Sequence, residues 1–401
     1  MKTLKTKVEL LAPAGSFPSL IAAVKAGADA VYFGLDEGLN MRANAKNFSI
    51  ANLKKIKEIC TKTIRGKKVR RYLTLNTLVY DSEISKIEKI IKEAKKYIDA
   101  IICWDLSVIE LCRKYRIPFH ISTQASVANK KSALFYKKLG AERIVLAREL
   151  NLNQIREISQ VIDTEVFCHG AMCVSISGRC FTSQFLFEKS ANRGECLQPC
   201  RRAYVIKDEE GNELKLENNT VMSAKDLCTL EIIEDIKKAG VKAIKIEGRN
   251  REPEYVDAVV RVYRKALDKK LGPSELRKLL EELQKVYNKG FSRGFYLKTP
   301  EKEGFSREEH SSSREKKEYI GEVFHYFSKA GVAAIRISSG KIRKGDEIYA
   351  IGNKTGVIRK RIDRIEINGK EKEEAFKGQE IGIKLSGVRE KDKIYKIIQK
   401  K

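Results

Sequence analysis

Six of the nine cysteines lie within a single stretch of the sequence, where their thiols could bind a metal ion or an iron–sulfur cluster. Disulfides are a poor explanation, because thiols stay reduced in the cytosol, where this chain is expected. The stretch lacks paired Cys-x-x-Cys motifs, which favours an iron–sulfur cluster over a zinc finger. Four thiolates are needed, and the candidates are Cys168, Cys173, Cys180, Cys196, Cys200 and Cys228. The other three cysteines stand in scattered apolar contexts and are predicted to be buried core residues.

Polar side chains at the ends of apolar runs form a second set of candidates, suited to a pocket and to catalysis. Lys245 and Glu247 share one face of an extended run and could form an internal ion pair. His169 could contact a cluster indirectly or simply pack in the core, and Arg148 and Glu149 are interpreted as a surface pair. The predicted pocket residues are Asn76, Asp105, Gln124, Glu165, His169, Lys245, Glu247 and Arg249.

Short apolar runs alternate with amphipathic helical segments through most of the chain, and they must position these residues. Eight such βα units predict an α/β fold, a (β/α)8 TIM-like barrel whose active site lies at the C-terminal ends of the strands. A doubly wound open sheet is the alternative, but no Gly-x-Gly-x-x-Gly motif follows the first run. Gly27 and Gly140 stand where helices should end. The eight runs are 8–11, 30–33, 72–75, 100–103, 119–122, 143–146, 165–167 and 243–246.

The interval between the seventh and eighth runs is much longer than the others and contains the clustered cysteines. An insertion after a strand lies over the active face of a barrel, so residues 168–228 are predicted at its mouth. Residues 1–298 then form the barrel domain, and the polar residues 299–318 form a linker. Residues 319–401 contain short β runs with glycine turns, which predict a small C-terminal β-barrel.

The chain has a large positive charge, with 80 Lys and Arg against 53 Asp and Glu and a formal net charge of +27. This excess favours a polyanionic partner such as nucleic acid, although Lys- and Glu-rich surfaces are also typical of thermophiles. Residues 354–364 are strongly basic and are interpreted either as an RNA-binding face or as an ordinary solvated one. Arg201 and Arg202, beside the cysteines, suit a phosphate or a carboxylate. The candidate RNA-binding residues are Arg201, Arg202, Lys354, Arg359, Lys360, Arg361 and Arg364.

Neither a membrane span nor a signal peptide is predicted. No apolar run approaches the ~20 residues of a membrane helix. The first seven residues lack the apolar core of a signal peptide. The expected compartment is therefore the cytoplasm.

Several motifs together resemble peptidase family U32 over nearly the whole chain. The first is the stretch 9–16, Glu-Leu-Leu-Ala-Pro-Ala-Gly-Ser, continued by the residues 26–34. The second is the stretch 165–183, which contains Cys173 and Cys180. The residues 122–124 (Ser-Thr-Gln) and 245–249 (Lys-Ile-Glu-Gly-Arg) are similar too. Any one motif would be weak, but their combination is highly specific.

The resemblance implies a 4Fe–4S cluster and the hydroxylation of an RNA base or of a quinone precursor. The implied ligands are Cys173, Cys180, Cys196 and Cys228, with Cys200 as the alternative to Cys196. Residues 321–323, 344–348 and 377–383 resemble the second domain of translation elongation factors, which contacts tRNA. Family members with this extension resemble the tRNA hydroxylases that convert wobble uridine to 5-hydroxyuridine, with prephenate and without molecular oxygen.

Other functions stay open at this point. A peptidase needs an activated nucleophile or a metal-bound water, and the sequence has no His-Glu-x-x-His or Gly-x-Ser-x-Gly motif. A Cys–His pair of Cys168 or Cys173 with His169 is conceivable, although adjacent residues of a strand face opposite sides. Hydroxylation of rRNA or of a quinone precursor, and RNA binding without catalysis, are further alternatives. The electron donor and the association with a second copy or a paralogous subunit stay undetermined.

Overall fold

Eight parallel strands close into a barrel in the computed structural model, which describes residues 7–43, 45–62, 68–202, 204–214, 222–308 and 311–400. Each strand pairs with the next, and the last pairs with both the first and the seventh. The predicted TIM-like barrel is therefore confirmed. Its strands are β1 (Glu9–Pro13), β2 (Ala30–Phe33), β3 (Arg70–Leu75), β4 (Ala100–Cys103), β5 (Phe119–Ile121), β6 (Arg143–Val145), β7 (Asp163–Gly170) and β11 (Ala243–Ile246).

Helices connect these strands and cover the outside of the barrel. They are α1 (Phe17–Ala26), α2 (Leu53–Thr61), α3 (Ile84–Ala94), α4 (Leu106–Lys114), α5 (Lys130–Lys138), α6 (Leu152–Ser159), α8 (Ile233–Lys238) and α9 (Pro253–Asp268). Their apolar side chains recur at a spacing of three and four and face the sheet, as Ile87, Ile90 and Ile91 do in α3. Gly27 ends α1 in the left-handed region with a φ of 103°, as its place in the sequence predicts.

A network of charged side chains occupies the inside of the barrel. The carboxylate of Glu165 is fully buried and lies 3.1 Å from Lys245 Nζ and 3.2 Å from Arg143 Nη1. Arg143 also donates to Glu9 Oε1 at 2.6 Å. Burial alone would raise the pKa of Glu165, but Lys245 and Arg143 outweigh it and lower that pKa below its ordinary value. The network therefore ties β1, β6, β7 and β11 together through an ionised carboxylate.

Glu165→Gln is expected to lower the free energy of unfolding by about 3–5 kcal/mol, because it leaves Lys245 buried without its counter-charge. Chemical denaturation of the purified protein measures this loss. Asp235→Asn is the matched control, since it removes the partner of Lys238 from an exposed pair and should leave stability almost unchanged. Equal unfolding free energies for Glu165→Gln and the wild type would show that the network contributes nothing.

The segment between β7 and β11 forms the insertion over the barrel mouth. It contains α7 (Thr182–Phe187), the hairpin of β8 (Ile206–Lys207) and β9 (Glu213–Leu214), and β10 (Asp226–Cys228). Strand β10 pairs antiparallel with β7 and parallel with β12 (Phe291–Ser292), which follows α10 (Pro273–Lys285). The end of the insertion is thus anchored to the barrel sheet, whereas residues 203 and 215–221 lie outside the described residues.

The C-terminal part of the chain is an antiparallel β domain, as predicted. Its main sheet has eight strands in the order β17-β16-β22-β13-β14-β21-β18-β19, and β15 pairs with β20. The first strand begins at Glu315, inside the stretch interpreted as a linker. The strands are β13 (Glu315–Phe327), β14 (Val332–Ile337), β15 (Lys341–Arg343), β16 (Glu347–Gly352), β17 (Gly356–Arg361), β18 (Ile365–Ile367), β19 (Lys370–Lys372), β20 (Glu374–Phe376), β21 (Glu380–Lys384) and β22 (Lys393–Gln399).

The β domain packs directly on α1 and α9 of the barrel. Lys25 Nζ of α1 donates to the carbonyl of Thr355 at 2.8 Å, and Lys317 Nζ lies 2.7 Å from a carboxylate oxygen of Glu254 in α9. A Cβ on Gly356 would come within 2.9 Å of the Ile21 side chain, so the backbones approach closely. The apolar part of this contact consists of Ala22, Tyr349, Ile351, Val357 and Ile397. The two domains therefore share a packed interface.

Candidate active site

The C-terminal ends of the barrel strands and the insertion enclose a cavity of about 180 Å³, which we call the thiol chamber. Four cysteines from the insertion line one side of it, and residues from the strand ends line the other. The chamber thus brings together members of both predicted sets of site residues. The residues that define it here are Tyr32, Arg42, Asn76, Gln124, Arg148, Phe167, Cys173, Cys180, Cys196, Cys200, Lys245, Glu247 and Arg249.

Donor groups are directed at two of the chamber thiols. The backbone N–H of Gln198 donates to Cys196 Sγ at 3.4 Å, and the hydroxyl of Thr182 lies 3.3 Å from Cys180 Sγ. Hydrogen bonds of this kind stabilise thiolates and tune the potentials of iron–sulfur clusters. Burial foremost, together with the neighbouring chamber thiols, raises the pKa of the Cys200 thiol to about 11.

Cys228 lies outside this group of four. It is on β10, directly opposite His169 of β7, and it is buried against the hydroxyl of Tyr263 at 3.8 Å. It does not line the chamber, whereas Cys200 does. The structure therefore brings together Cys173, Cys180, Cys196 and Cys200, and it separates Cys228 from them.

Within the described part of the chain, no three Cys, His, Asp or Glu side chains converge closely enough to hold a single metal ion. A four-iron cluster holds its ligand sulfurs farther apart than a single ion does. Four thiols that line one cavity, two of them with directed donors, fit that larger group.

Two arginines of the chamber, Arg148 and Arg249, donate hydrogen bonds to uncharged acceptors. Arg249 Nη1 donates to Asn40 Oδ1 at 2.7 Å and to Thr74 Oγ1 at 3.1 Å. Arg148 donates to the carbonyl of Ala171 at 2.7 Å, and its guanidinium lies 3.8 Å from the centre of the Phe167 ring. No carboxylate of the described residues lies within ion-pair distance of either arginine, and burial lowers the pKa of Arg249 to about 10.

The remaining charges of the chamber neutralise one another. Arg42 pairs with Glu247 at 3.0 Å, and Lys245 pairs with Glu165 below the chamber. Burial alone would raise the pKa of Glu247, but nearby arginines, Arg42 foremost, lower it to about 2. Lys245 and Glu247 are thus not paired with each other, contrary to one sequence interpretation. Arg148 and Arg249 are thus left as positive groups of the chamber without a carboxylate partner among the described residues, which suits an anionic ligand.

The side-chain amides of Asn76 and Gln124 form part of the chamber wall. Asn76 Nδ2 donates to Ser122 Oγ at 3.1 Å and to Gln124 Oε1 at 3.2 Å. Among the described residues Gln124 Nε2 has no hydrogen-bond acceptor, so it can donate to a ligand. Gly178 has a φ of 78°, and a Cβ there would come within 2.8 Å of Gln124 Cγ. Glycine is therefore required between the cysteine-bearing turn and this wall.

His169 does not face the chamber, because of a β-bulge in β7. The strand register places Lys245 opposite Phe167 and Ile246 opposite His169, so that Cys168 is an extra residue. Simple alternation would turn residues 165, 167 and 169 inward, but the bulge turns His169 outward with Ile246. Its ring packs against two tyrosines of α9, and burial lowers its pKa to about 3.

Acidic neighbours neutralise much of the predicted basic stretch. Arg359 donates to the carboxylates of both Glu315 and Glu347. Lys360 and Arg364 also have carboxylate partners, at 2.7 Å and 3.0 Å. Paired cations of this kind attract a polyanion less than free ones do.

The other candidate RNA-binding residues have different environments. Arg201 is buried and pairs with Asp226 of β10 at 3.1 Å, so it anchors the insertion. Arg202 is exposed and stacks on an aromatic ring, and Arg361 donates to a backbone carbonyl. Lys354 lines a separate surface cavity of the β domain.

Sequence reasoning missed two of the arginines that define the chamber. Arg42 follows β2 after a turn and carries no motif, and Arg148 was interpreted as part of a surface pair. Arg148 comes three residues after the end of β6, a position that places a side chain at the barrel mouth. Asp105, by contrast, caps α4 through the N–H of Ser107 and does not line the chamber.

The family model of peptidase family U32 matches residues 15–306, which include seven of the eight barrel strands, the insertion and the thiol chamber. The chain belongs to peptidase family U32. The model of elongation factor Tu domain 2 matches residues 330–397 of this U32 protein, within its β domain.

Relatives of this U32 protein have names of two kinds. It is 42% identical over 409 residues to a protein of Porphyromonas gingivalis named collagenase, with 97% of both chains covered. It is 34% identical over 365 residues to a tRNA hydroxylation protein of Bacillus subtilis, with 88% of this chain and 85% of the relative covered. It is also 39% identical over 266 residues to a 23S rRNA 5-hydroxycytidine synthase of Escherichia coli, covering 65% of this chain and 39% of the relative.

In the part of this U32 protein that the structure describes, no helix combines the length and apolar character needed to cross a bilayer.

Proposed function

We propose that this U32 protein is an iron–sulfur-dependent enzyme that hydroxylates a pyrimidine base of RNA, and specifically that it converts wobble uridine of tRNA to 5-hydroxyuridine. The observation that carries the proposal is the thiol chamber, where four cysteines face two arginines without carboxylate partners at the barrel mouth. The relatives named for tRNA and rRNA hydroxylation support the reaction class.

The ligands proposed for the cluster are Cys173, Cys180, Cys196 and Cys200. They replace the set with Cys228, because Cys228 is buried on β10 outside the chamber. When bound, a 4Fe–4S cluster supplies one-electron transfer beside the chamber.

The base enters the chamber after flipping out of the RNA, since the reacting carbon is otherwise out of reach. Gln124 Nε2 is available to donate to a base carbonyl. The rings of Tyr32 and Phe167 line the chamber, with Lys245 and Arg148 over their faces. Asn76 fixes the Gln124 amide by donating to its oxygen. These contacts orient the pyrimidine and exclude water from its edge.

Hydroxylation of a base carbon replaces hydrogen by a hydroxyl group and removes two electrons from the base. An oxygen donor and an electron acceptor must therefore take part besides the RNA. We propose that prephenate, a dicarboxylate with a ring hydroxyl group, is the co-substrate that fills both roles without molecular oxygen. In the net reaction its hydroxyl group replaces the hydrogen of the base carbon, and its own ring carbon takes up a hydrogen and the two electrons. Arg148 and Arg249 would bind its carboxylates, because both guanidiniums keep donors for a planar anion.

Proteolysis is the second candidate, because a relative of 42% identity is named collagenase. A cysteine peptidase needs a histidine beside its thiol. None of the described residues that line the chamber is a histidine, since His169 faces α9 and His120 lies inside the barrel. The chamber therefore favours hydroxylation.

Mass spectrometry of nucleosides tests this proposal. Total tRNA and rRNA are isolated from a strain that lacks the gene and from its parent, and both are digested to nucleosides. We expect 5-hydroxyuridine in tRNA of the parent and its loss in the deletion strain. If 5-hydroxycytidine is lost from rRNA instead, the protein hydroxylates RNA as proposed, but its substrate is rRNA and not tRNA. Identical nucleoside profiles in the two strains would reject RNA hydroxylation.

A further inference from the structure

A second cavity, of about 470 Å³, lies between the two domains, and we call it the interdomain cleft. On the barrel side its walls are the loops after β1, β2 and β11, and on the other side they are the end of β16 and the start of β22. Because the domains share a packed interface, this cleft is a fixed part of the molecule. The residues that matter here are Lys46, Asn250, Arg251, Asn353, Lys391 and Lys393.

The interdomain cleft adjoins the thiol chamber through a third cavity. A cavity of about 290 Å³ lies between them and shares Arg42 and Glu247 with the chamber, and Asn250 and Arg251 with the cleft. On the opposite side, a surface cavity of about 530 Å³ shares Lys391 with the cleft. The four cavities thus adjoin one another in a row, which we call the track, from the surface of the β domain to the four cysteines.

Four lysines of this track have no carboxylate partner among the described residues, and they outnumber its unpaired carboxylates. Over the described ranges, no carboxylate lies within ion-pair distance of Lys46, Lys391, Lys393 or Lys354. Two acidic residues of the track pair with cations, Glu252 with Lys317 and Glu247 with Arg42. The other two, Glu390 and Asp392, contact His325 and Thr355, and the four unpaired lysines outnumber them. The net charge available to a ligand is therefore positive along the track.

These features fit a single-stranded polyanion whose phosphates follow a row of free cations. A protein surface would need an apolar centre, whereas the lysines dominate this track.

We propose that the interdomain cleft binds the sugar–phosphate backbone of the RNA whose base enters the thiol chamber. Lys46, Lys391 and Lys393 contact phosphates next to the flipped nucleotide, and Lys354 contacts the strand farther along the β domain. This inference rests on the proposed function, since it assumes that RNA is the substrate. It assigns RNA binding to free lysines of the cleft instead of the paired residues near Arg359.

RNA binding tests the assignment without requiring catalysis. Fluorescence anisotropy measures the affinity of the full-length protein for a labelled anticodon stem-loop over a range of salt concentrations. The triple variant Lys46→Gln, Lys391→Gln, Lys393→Gln removes three free charges. Each phosphate contact on a single strand contributes about 0.7 to the magnitude of the slope of log K against log salt. Loss of three contacts should therefore lower that magnitude by about 2.

The matched control is Arg336→Gln, Arg343→Gln, Lys344→Gln, which removes three β-domain charges that pair with carboxylates. Its slope should equal that of the wild type, and thermal unfolding verifies that both variants are folded. An unchanged slope for the cleft variant, or an equal loss in the control, would overturn the cleft assignment while RNA binding by the wild type stands. Absence of salt-dependent RNA binding by the wild type would overturn both the assignment and the proposed function.

Discussion

Cys200→Ser is expected to remove the iron–sulfur cluster from anaerobically purified protein, whereas Cys228→Ser is expected to retain it. The reason is position, because Cys200 lines the thiol chamber with Cys173, Cys180 and Cys196, and Cys228 is buried on β10. Replacing a group that hydrogen-bonds to a metal ligand lowers the affinity for the metal by about 10- to 100-fold. Replacing a ligand of the cluster should lower the affinity for the cluster at least as much. Iron and sulfide analysis, with the absorption spectrum, measures the result.

The comparison with Cys228→Ser controls for general damage to the fold. Both variants exchange sulfur for oxygen, and Cys228 is the more buried of the two residues, so instability alone would affect Cys228→Ser more. Full iron in Cys200→Ser with loss of iron in Cys228→Ser would restore the ligand set that the family resemblance implies. Iron-free wild-type protein would exclude the cluster.

Arg148→Gln and Arg249→Gln are each expected to weaken prephenate binding by roughly 10- to 100-fold, the value of one or two hydrogen bonds to a charged group. Both arginines are positive groups of the chamber without carboxylate partners, and glutamine removes the charge while keeping a donor. Equilibrium dialysis of the purified protein with prephenate measures the affinity directly and does not depend on turnover.

Arg293→Gln is the matched control for these two variants. Arg293 is exposed and pairs with Glu231 outside the chamber, so its replacement should leave prephenate affinity unchanged. If the chamber variants bind prephenate as the wild type does, the arginines serve another ligand. If all three variants lose affinity equally, binding depends on overall charge and not on the chamber.

The sequence alone predicts the architecture of this protein well. All eight apolar runs form barrel strands. They could be recognised because parallel strands are buried on both faces, so that nearly every residue of the run is apolar. The cysteine-rich interval also lies at the barrel mouth, since an insertion after β7 can project only from the C-terminal face. Asn76, Gln124, Lys245, Glu247 and Arg249 line the chamber for the same reason.

The details that sequence reasoning missed depend on contacts between distant residues. The bulge at Cys168 turns His169 away from the chamber, and no local pattern marks it. Whether a basic residue is free or paired depends on partners far along the chain, as the bonds between Arg359 and Glu315 show. Cys200 and Cys228 are equivalent by residue type, and only the path of β10 separates them.

The most direct test of the account joins the thiol chamber to RNA hydroxylation in one measurement. A strain that lacks the gene is complemented with wild-type, Cys200→Ser or Cys228→Ser protein, and 5-hydroxyuridine in its tRNA is quantified by mass spectrometry. The account predicts that wild-type and Cys228→Ser proteins restore the modified nucleoside and that Cys200→Ser does not. Restoration by Cys200→Ser to the wild-type level would contradict it.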